Sequence, residues 1–324
     1  MALNLRTLML AGATSLSLLV SACASEQSSE PLTRESALAA FEEAKAIALS
    51  TQGEGTPAMW RLADDDTTIH IFGTVHLLRP ELEWQTPAFE AAFSEADTVV
   101  FEVDMYSEEA QRLIMTDLMS RGMYDDGRTL RSVLDEDKEA VVEAAFKSIN
   151  VPLDALNAFE PWMASMNLTS MKMTKDGFNP NAGVEKILND KAIAAGMQFD
   201  YLETISDQAD AFDNLSEETQ IQMLYEGALM IDDSSTFLDF LVEEWADGDV
   251  EGLGILAATP DGAGLSNEAY EAVFKNRNEK WVPKIEAMLD EPGTIFIAAG
   301  AGHFAGPDSV ITMLRDKGYT VEGP

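Results

Sequence analysis

The chain contains three imidazole groups, and two of them recur in the same local pattern. His76 and His303 each follow an apolar stretch predicted to be a strand, and Gly73 and Gly300 stand three residues before them. In open α/β sheets, ligands bind beyond the carboxyl ends of the strands, and glycine there lets the backbone turn sharply. The pattern indicates that both imidazoles face one site, although two ordinary loop histidines would also fit it.

Glu102 is the third candidate. It lies in the apolar segment Val99–Val103, where a carboxylate costs free energy unless it is paired or bound to a metal. Two imidazoles and a carboxylate at one sheet edge are typical of a divalent-metal site with open positions for water. A metal held in this way lowers the pKa of bound water or polarises a carbonyl. The remaining histidine, His70, stands between two isoleucines and is predicted to face solvent without a catalytic role.

The elements that must position these residues follow an α/β (α+β) pattern. The sequence predicts a helix over Ser36–Ser50, strand–turn–strand over residues 58–72, a helix from Pro87 and a strand over residues 98–103. A long helix over residues 268–289, a strand over 294–299, a helix over 307–317 and a strand over 319–322 follow at the end. Residues 107–258 are predicted to be mainly helical, with one strand candidate at residues 199–202. We expect one domain, residues 36–324, with a central mixed sheet that the N- and C-terminal thirds build and helices flank and cover.

The two histidine-bearing segments are similar to each other. Residues 68–76 and 294–303 are both an apolar strand that ends in Gly-x-x-His, and each has a proline soon afterwards. Two copies do not establish a repeat architecture, so a degenerate repeat and coincidence both remain possible.

The first residues are typical of an export signal. Arg6 precedes an apolar run, Leu8–Val20, that is too short for a stable transmembrane helix. Val20–Cys23 resembles a bacterial lipobox, which predicts a lipoprotein signal peptide at residues 1–22, lipid on Cys23 and a polar tether at residues 23–35. We expect an exported protein held at the outer membrane, facing the periplasm or the surface of a Gram-negative bacterium. A plain secretory signal is the alternative.

The charge of the chain excludes several partners. Its 57 Asp and Glu against 21 Lys and Arg give a formal net charge of -36, which repels nucleic acid and anionic lipid surfaces. Membrane contact is therefore expected through the lipid anchor only. A single Cys excludes an intrachain disulfide, a Cys-rich zinc site and an iron–sulfur cluster.

Several short segments together resemble the TraB/GumN family, which is related to the Tiki metalloproteases and more distantly to erythromycin esterases and haem-binding ChaN lipoproteins. The similarity covers nearly the whole chain after the signal. The segments, in order, are Gly73–Leu78, Phe101–Asp104, Glu160–Trp162, Gly183–Lys186, Tyr201–Thr204, Arg277–Trp281 and Gly300–Pro307.

This resemblance implies a divalent-metal hydrolase of the Tiki type, with a peptide or another small polar molecule as substrate. Manganese or cobalt would be the metal, with zinc or iron as alternatives. The family pattern assigns the metal and catalytic roles to His76, Glu102 and His303. Arg277 and Asn278 become candidates for charge stabilisation or for orienting the ligands.

Two acidic positions in the resemblance carry no assigned role. Family members often have Asp where Glu185 stands, so an extra ligand and a substrate contact both remain open there. For Glu203, a buried structural acid is the alternative to a role in the site.

Other functions fit parts of the sequence. A non-catalytic lipoprotein that binds haem, a peptide signal or a polysaccharide fragment is the main alternative. The glycines of Gly300–Gly306 resemble a dinucleotide-binding turn, but the chain ends too soon for the second half of such a site. A methionine-rich stretch, residues 163–173, is interpreted as core rather than as a soft-metal site.

Overall fold

The structure, a computed structural model, describes residues 32–258 and 265–324. The predicted signal peptide, Cys23 and most of the predicted tether lie outside these residues. None of the helices in the described ranges is long and apolar enough to cross a membrane.

The described residues form one mixed sheet of six strands in the order β4-β3-β5-β2-β1-β6. The strands β4, β3, β5 and β2 run parallel, and β1 pairs antiparallel with both β2 and β6. The predicted fold class is therefore confirmed, although β4 comes from the middle region and not from the terminal thirds. The strands are β1 Met59–Ala63, β2 Thr67–Thr74, β3 Thr98–Phe101, β4 Gln198–Tyr201, β5 Gly293–Gly300 and β6 Val321–Glu322.

The described residues contain fifteen α-helices. Two helical stretches also include a π-helical turn, at Ile114–Leu118 and at Glu271–Lys275. The helices are α1 Arg34–Ala48, α2 Pro87–Glu95, α3 Glu108–Leu113, α4 Met119–Arg121, α5 Leu130–Val133, α6 Glu136–Ser148, α7 Pro161–Lys175, α8 Val184–Ala195, α9 Ile205–Asp213, α10 Glu217–Leu229, α11 Ser234–Asp247, α12 Val250–Ala257, α13 Asn267–Tyr270, α14 Asn276–Met288 and α15 Val310–Asp316.

Helix ends follow local capping chemistry. Thr86 caps α2 through its side chain and Pro87 occupies the first turn, as the sequence predicts. Thr33 caps α1, so this helix begins at Arg34, inside the predicted tether. The last helix and the last strand are shorter than predicted, whereas β5 is longer by one residue at each end. A 3₁₀ turn at Ala301–Phe304 follows β5, and the last helix begins only at Val310, after its cap Ser309.

Both faces of the sheet are covered. Phe72, Val99 and Phe296 point to one face, where they pack with helices α1, α2, α8, α11 and α12. Their strand neighbours Ile71 and Ile297 point to the other face, against α14 and α15. The alternation follows from the strand period of two. A separate core joins the helices of the middle region and contains Met163, Met166 and Met171, while Met173 packs in the first core, so these methionines are core residues.

The two Gly-x-x-His segments meet in the centre of the sheet. Strands β2 and β5 pair in parallel over their whole length, with Thr74 opposite Gly300. Strand β3 lies on the other side of β5, with Phe101 opposite Ala298. The carboxyl ends of three adjacent strands therefore deliver His76, Glu102 and His303 to the same edge.

Candidate functional site

His76, Glu102 and His303 converge above Gly300. A methyl group placed on Gly300 would lie 2.9 Å from Oε1 of Glu102, 3.6 Å from Cδ2 of His303 and 3.8 Å from Nε2 of His76. Glu102 and His303 are buried, and the His76 side chain is 10% exposed. The sequence correctly predicts that these three side chains meet at one sheet edge.

Arg277 lies among them. Its Nη2 donates to Oε2 of Glu102 at 2.7 Å and to Oε1 of Glu203 at 2.7 Å, while Nε donates to Oε2 of Glu203 at 3.0 Å. Burial alone would lower the pKa of Arg277, but the carboxylates of Glu203 and Glu102 outweigh it and raise the pKa. The Glu203–Arg277–Glu102 group is a buried ion-pair network whose central charge is positive.

His303 is sealed inside this network. Its Nδ1 lies 2.6 Å from Oδ1 of Asn278, and its Nε2 lies 3.0 Å from Nη1 of Arg277. Burial, and then the guanidinium of Arg277, lower the pKa of His303 to about 3. His303 is therefore neutral at physiological pH, and both of its ring nitrogens already have a partner.

The helix that carries Arg277 and Asn278 is shaped for this contact. A π-helical turn, Glu271–Lys275, directly precedes α14, and such turns change which carbonyls and side chains face the neighbouring elements. Nη1 of Arg277 donates to the carbonyl of Val273 within that turn at 3.0 Å. The turn thus fixes the guanidinium from its own helix while the side chain reaches across to β3.

Glu185 is the partner of His76. Its Oε1 lies 2.5 Å from Nδ1 of His76, and Thr74 donates a hydrogen bond to the same oxygen. The contact acts as an ion pair when the imidazole is protonated. Burial alone would lower the pKa of His76, but the carboxylate of Glu185 outweighs it and the pKa is raised.

Backbone packing brings Glu185 to this position. The N–H of Val184 donates to the carbonyl of Val75 at 3.0 Å. A Cβ on Gly183 would lie 2.1 Å from the carbonyl oxygen of His76, so a side chain there would force the two segments apart. Gly183 therefore lets the start of α8 dock directly on the turn that carries His76.

Glu102 remains ionised despite its burial. Burial would raise its pKa, but Arg277 foremost, then the two imidazoles and the N–H of Gly300, lower it to about 2. With Glu185 it places two carboxylates near His76, and Arg277 offsets the charge of the deeper one.

The predicted metal ligands do not fit a metal ion in this arrangement. A ligand imidazole needs a free nitrogen lone pair, whereas Nε2 of His303 faces Arg277 and Nδ1 faces Asn278. The guanidinium also occupies one oxygen of Glu102. Across residues 32–258 and 265–324, no group of three or more His, Cys, Asp or Glu side chains is placed to hold a metal ion.

The sequence predicts where the site residues lie, but it does not predict how they pair. Arg277 and Asn278 lie in the site as predicted, whereas the sequence does not identify Glu185 as the partner of His76 or Glu203 as the partner of Arg277. His70 lies in the middle of β2, outside the site; it is half-buried rather than solvent-facing as predicted, because its ring lies 6.4 Å from that of Phe296. Burial lowers the pKa of His70.

Comparisons with known proteins match a family model and a distant relative over most of the chain. The sequence model of the TraB/PrgY/gumN family matches residues 58–323. An uncharacterized protein of Treponema pallidum (strain Nichols) is 20% identical over 268 residues, which cover 80% of each chain.

Shorter matches link the chain to named enzymes. Metalloprotease TIKI1 of Danio rerio is 48% identical over 54 residues, which are 16% of this chain and 11% of that protein. Metalloprotease TIKI1 of Homo sapiens is 43% identical over 54 residues and 10% of its length. No solved structure matches the chain. The more distant kinship with erythromycin esterases and ChaN lipoproteins stays a prediction.

Proposed function

We propose that this chain, which belongs to the TraB/PrgY/gumN family, is a hydrolase in which His76 activates water for attack on a peptide or another small polar substrate. The observation that carries the proposal is the pairing of His76 with Glu185. Nδ1 of the partly exposed His76 imidazole lies 2.5 Å from Oε1 of Glu185, and the imidazole stands beside Gly300. The peptide-like substrate class is taken from the name of the short metalloprotease matches.

We place the attacking water between Glu102 and His76, which both approach the sheet edge at Gly300. A Cβ at Gly300 would lie 2.9 Å from Oε1 of Glu102 and 3.8 Å from Nε2 of His76, so both groups stand beside the same glycine. A glutamate oxygen orients the water there, and the imidazole is near enough to take a proton after a small shift. Apo sites often show such long distances before substrate closes them.

The reaction follows from these positions. Nε2 of His76 takes one proton from the water, and the remaining hydroxide oxygen bonds to the carbonyl carbon of the substrate. The bond from that carbon to the leaving nitrogen or oxygen breaks, and the proton on His76 moves to the leaving atom. Glu185 stabilises the transient imidazolium, and Arg277 places a fixed positive charge beside the site.

The predicted dependence on manganese or cobalt, with zinc or iron as alternatives, is not part of this proposal, because the residues present do not fit a metal ion and no step above uses one. Two further features do belong to it. Attachment of lipid to Cys23 and a place at the outer membrane also stay predictions. They would put the hydrolase among exported substrates.

A peptide-library digestion tests the function. Wild-type protein, His76→Gln and His70→Gln are each incubated with the library without metal and with Mn²⁺ or Co²⁺. His70→Gln is the matched control, because it removes an imidazole outside the site. We expect wild type and His70→Gln to cleave and His76→Gln to lose about 10²–10⁴-fold in rate. Equal cleavage by all three proteins would refute the role of His76, and cleavage by none would count against the peptidase reading.

A further inference from the structure

The guanidinium of Arg277 uses every donor it has. A guanidinium carries five N–H groups, and the buried side chain makes five contacts, to both oxygens of Glu203, to Oε2 of Glu102, to Nε2 of His303 and to the carbonyl of Val273, at 2.7–3.0 Å. Because all of its donors are paired, the guanidinium is held in one orientation, as a preorganised cation site requires.

The contact with His303 fixes the tautomer of that ring. Because Nη1 of Arg277 can only donate, Nε2 of His303 must be the bare, accepting nitrogen. The proton therefore resides on Nδ1, which faces Oδ1 of Asn278 at 2.6 Å.

Asn278 is in turn held in one orientation. Its Nδ2 donates to the backbone carbonyl of Asp308 at 2.7 Å, so its Oδ1 must point to His303. A directed chain runs from the carbonyl of Asp308 through Asn278 and His303 to Arg277.

Trp281 packs against the network and donates a hydrogen bond to it. Its Nε1 donates to Oε2 of Glu203 at 3.1 Å. Its ring centre lies 4.3 Å from that of His303 and 4.9 Å from Cζ of Arg277. The aromatic face thus excludes water and restrains both partners.

We propose that Arg277 is the resident cation of this site, in the place where a divalent metal would bridge Glu102 and His303, and that His303 and Asn278 are positioning residues for it. The inference rests on the proposed function for the site's catalytic purpose, but its geometry is independent of any substrate. A metal bound to Glu102 and His303 would have to displace Arg277 and leave Glu203 without its partner.

Nitrogen NMR of the full chain, with ¹⁵N-labelled histidine, tests this directly. The chain has three histidines, and the signals of His303 are assigned by their loss in His303→Gln. We expect one ring that is neutral and protonated on Nδ1 at pH 7, and whose signals stay in place when one equivalent of Zn²⁺ is added. A ring protonated on Nε2, or signals of His303 that shift with Zn²⁺, would overturn the proposal.

A pair of variants of α14 probes the positioning role. Asn278→Ala removes the acceptor at Nδ1, so we expect the Nδ1–H signal of His303 to shift while the ring stays protonated on Nδ1, because Arg277 still donates to Nε2. Asn276→Ala, an exposed position two residues earlier, is the control and leaves the ring unchanged. An unchanged Nδ1–H signal in folded Asn278→Ala would refute the role of Asn278. If that variant does not fold, the wild-type spectra still decide. The expected spectra without any hydrolysis would refute the proposed function and leave the inference standing.

Discussion

Glu102→Gln is expected to destabilise the protein by about 3 kcal/mol at pH 7, and by progressively less below pH 4.5. The substitution keeps the size of the side chain and its contact with Gly300, but it removes the charge that faces Arg277. The pKa of Glu102 falls from 4.5 to about 2 on folding, and about 1.4 kcal/mol per pH unit converts this into about 3 kcal/mol. Because the folded pKa is lowered, this stability is present above pH 4.5 and is lost as the pH falls to 2.

Urea unfolding of wild type and Glu102→Gln, followed by tryptophan fluorescence at several pH values, measures the difference. We expect about 3 kcal/mol at pH 7, a decline below pH 4.5, and near equality at pH 2. Glu109→Gln, which changes an exposed glutamate at the start of α3, is the control and is expected within about 0.5 kcal/mol of wild type throughout. A difference below about 1 kcal/mol at pH 7, or one that does not change with pH, would show that Arg277 does not hold Glu102 ionised.

Three further variants test neighbouring parts of the account. Gly300→Ala places a methyl group 2.9 Å from Oε1 of Glu102, so that carboxylate must shift, although the backbone at residue 300, with φ -50°, suits alanine. We expect a loss of about 1–3 kcal/mol in unfolding free energy and of about 10²-fold or more in the rate of hydrolysis, and unchanged hydrolysis would contradict the proposed role of Glu102 in placing the water. Trp281→Phe removes the hydrogen-bond donor to Glu203 and should lower the free energy of unfolding in urea by about 1–3 kcal/mol. Equal stability of the variant and the wild type would count against the network. Burial and nearby carboxylates raise the pKa of Glu244 to about 7, so its ionisation lowers the stability of the folded protein as the pH rises from 4.5 to 7. Glu244→Gln should therefore raise the melting temperature above pH 7 but not below pH 4.5. An equal rise in melting temperature at every pH would refute this explanation.

The sequence predicts the meeting of His76, Glu102 and His303 because that meeting depends on local rules. Apolar strands that end in Gly-x-x-His deliver their side chains to the carboxyl edge of a parallel sheet, and adjacent strands bring those ends together. Strand β4 also follows from a short apolar segment, although its place at the sheet edge does not.

The roles of these residues depend on contacts that cross long stretches of sequence. Arg277 reaches Glu102 and Glu203 from a helix far along the chain, and a π-helical turn sets its direction. A periodicity of 3.6 does not reveal such a turn. The contact of Glu185 with His76 depends on the close packing of Gly183, which sequence spacing alone does not show.

The most direct test of the central claim is the pH dependence of kcat/KM in wild type and Glu185→Gln. Glu185 raises the pKa of His76, so the wild-type rate should rise with pH through a pKa above 6.5 as the imidazole becomes a free base. Without that carboxylate the effect of burial is opposed less strongly, so the rise should move to lower pH while the plateau falls. Asp190→Asn, an exposed carboxylate on the same helix, should leave the profile in place. A profile that Glu185→Gln leaves unchanged would show that His76 is not the base.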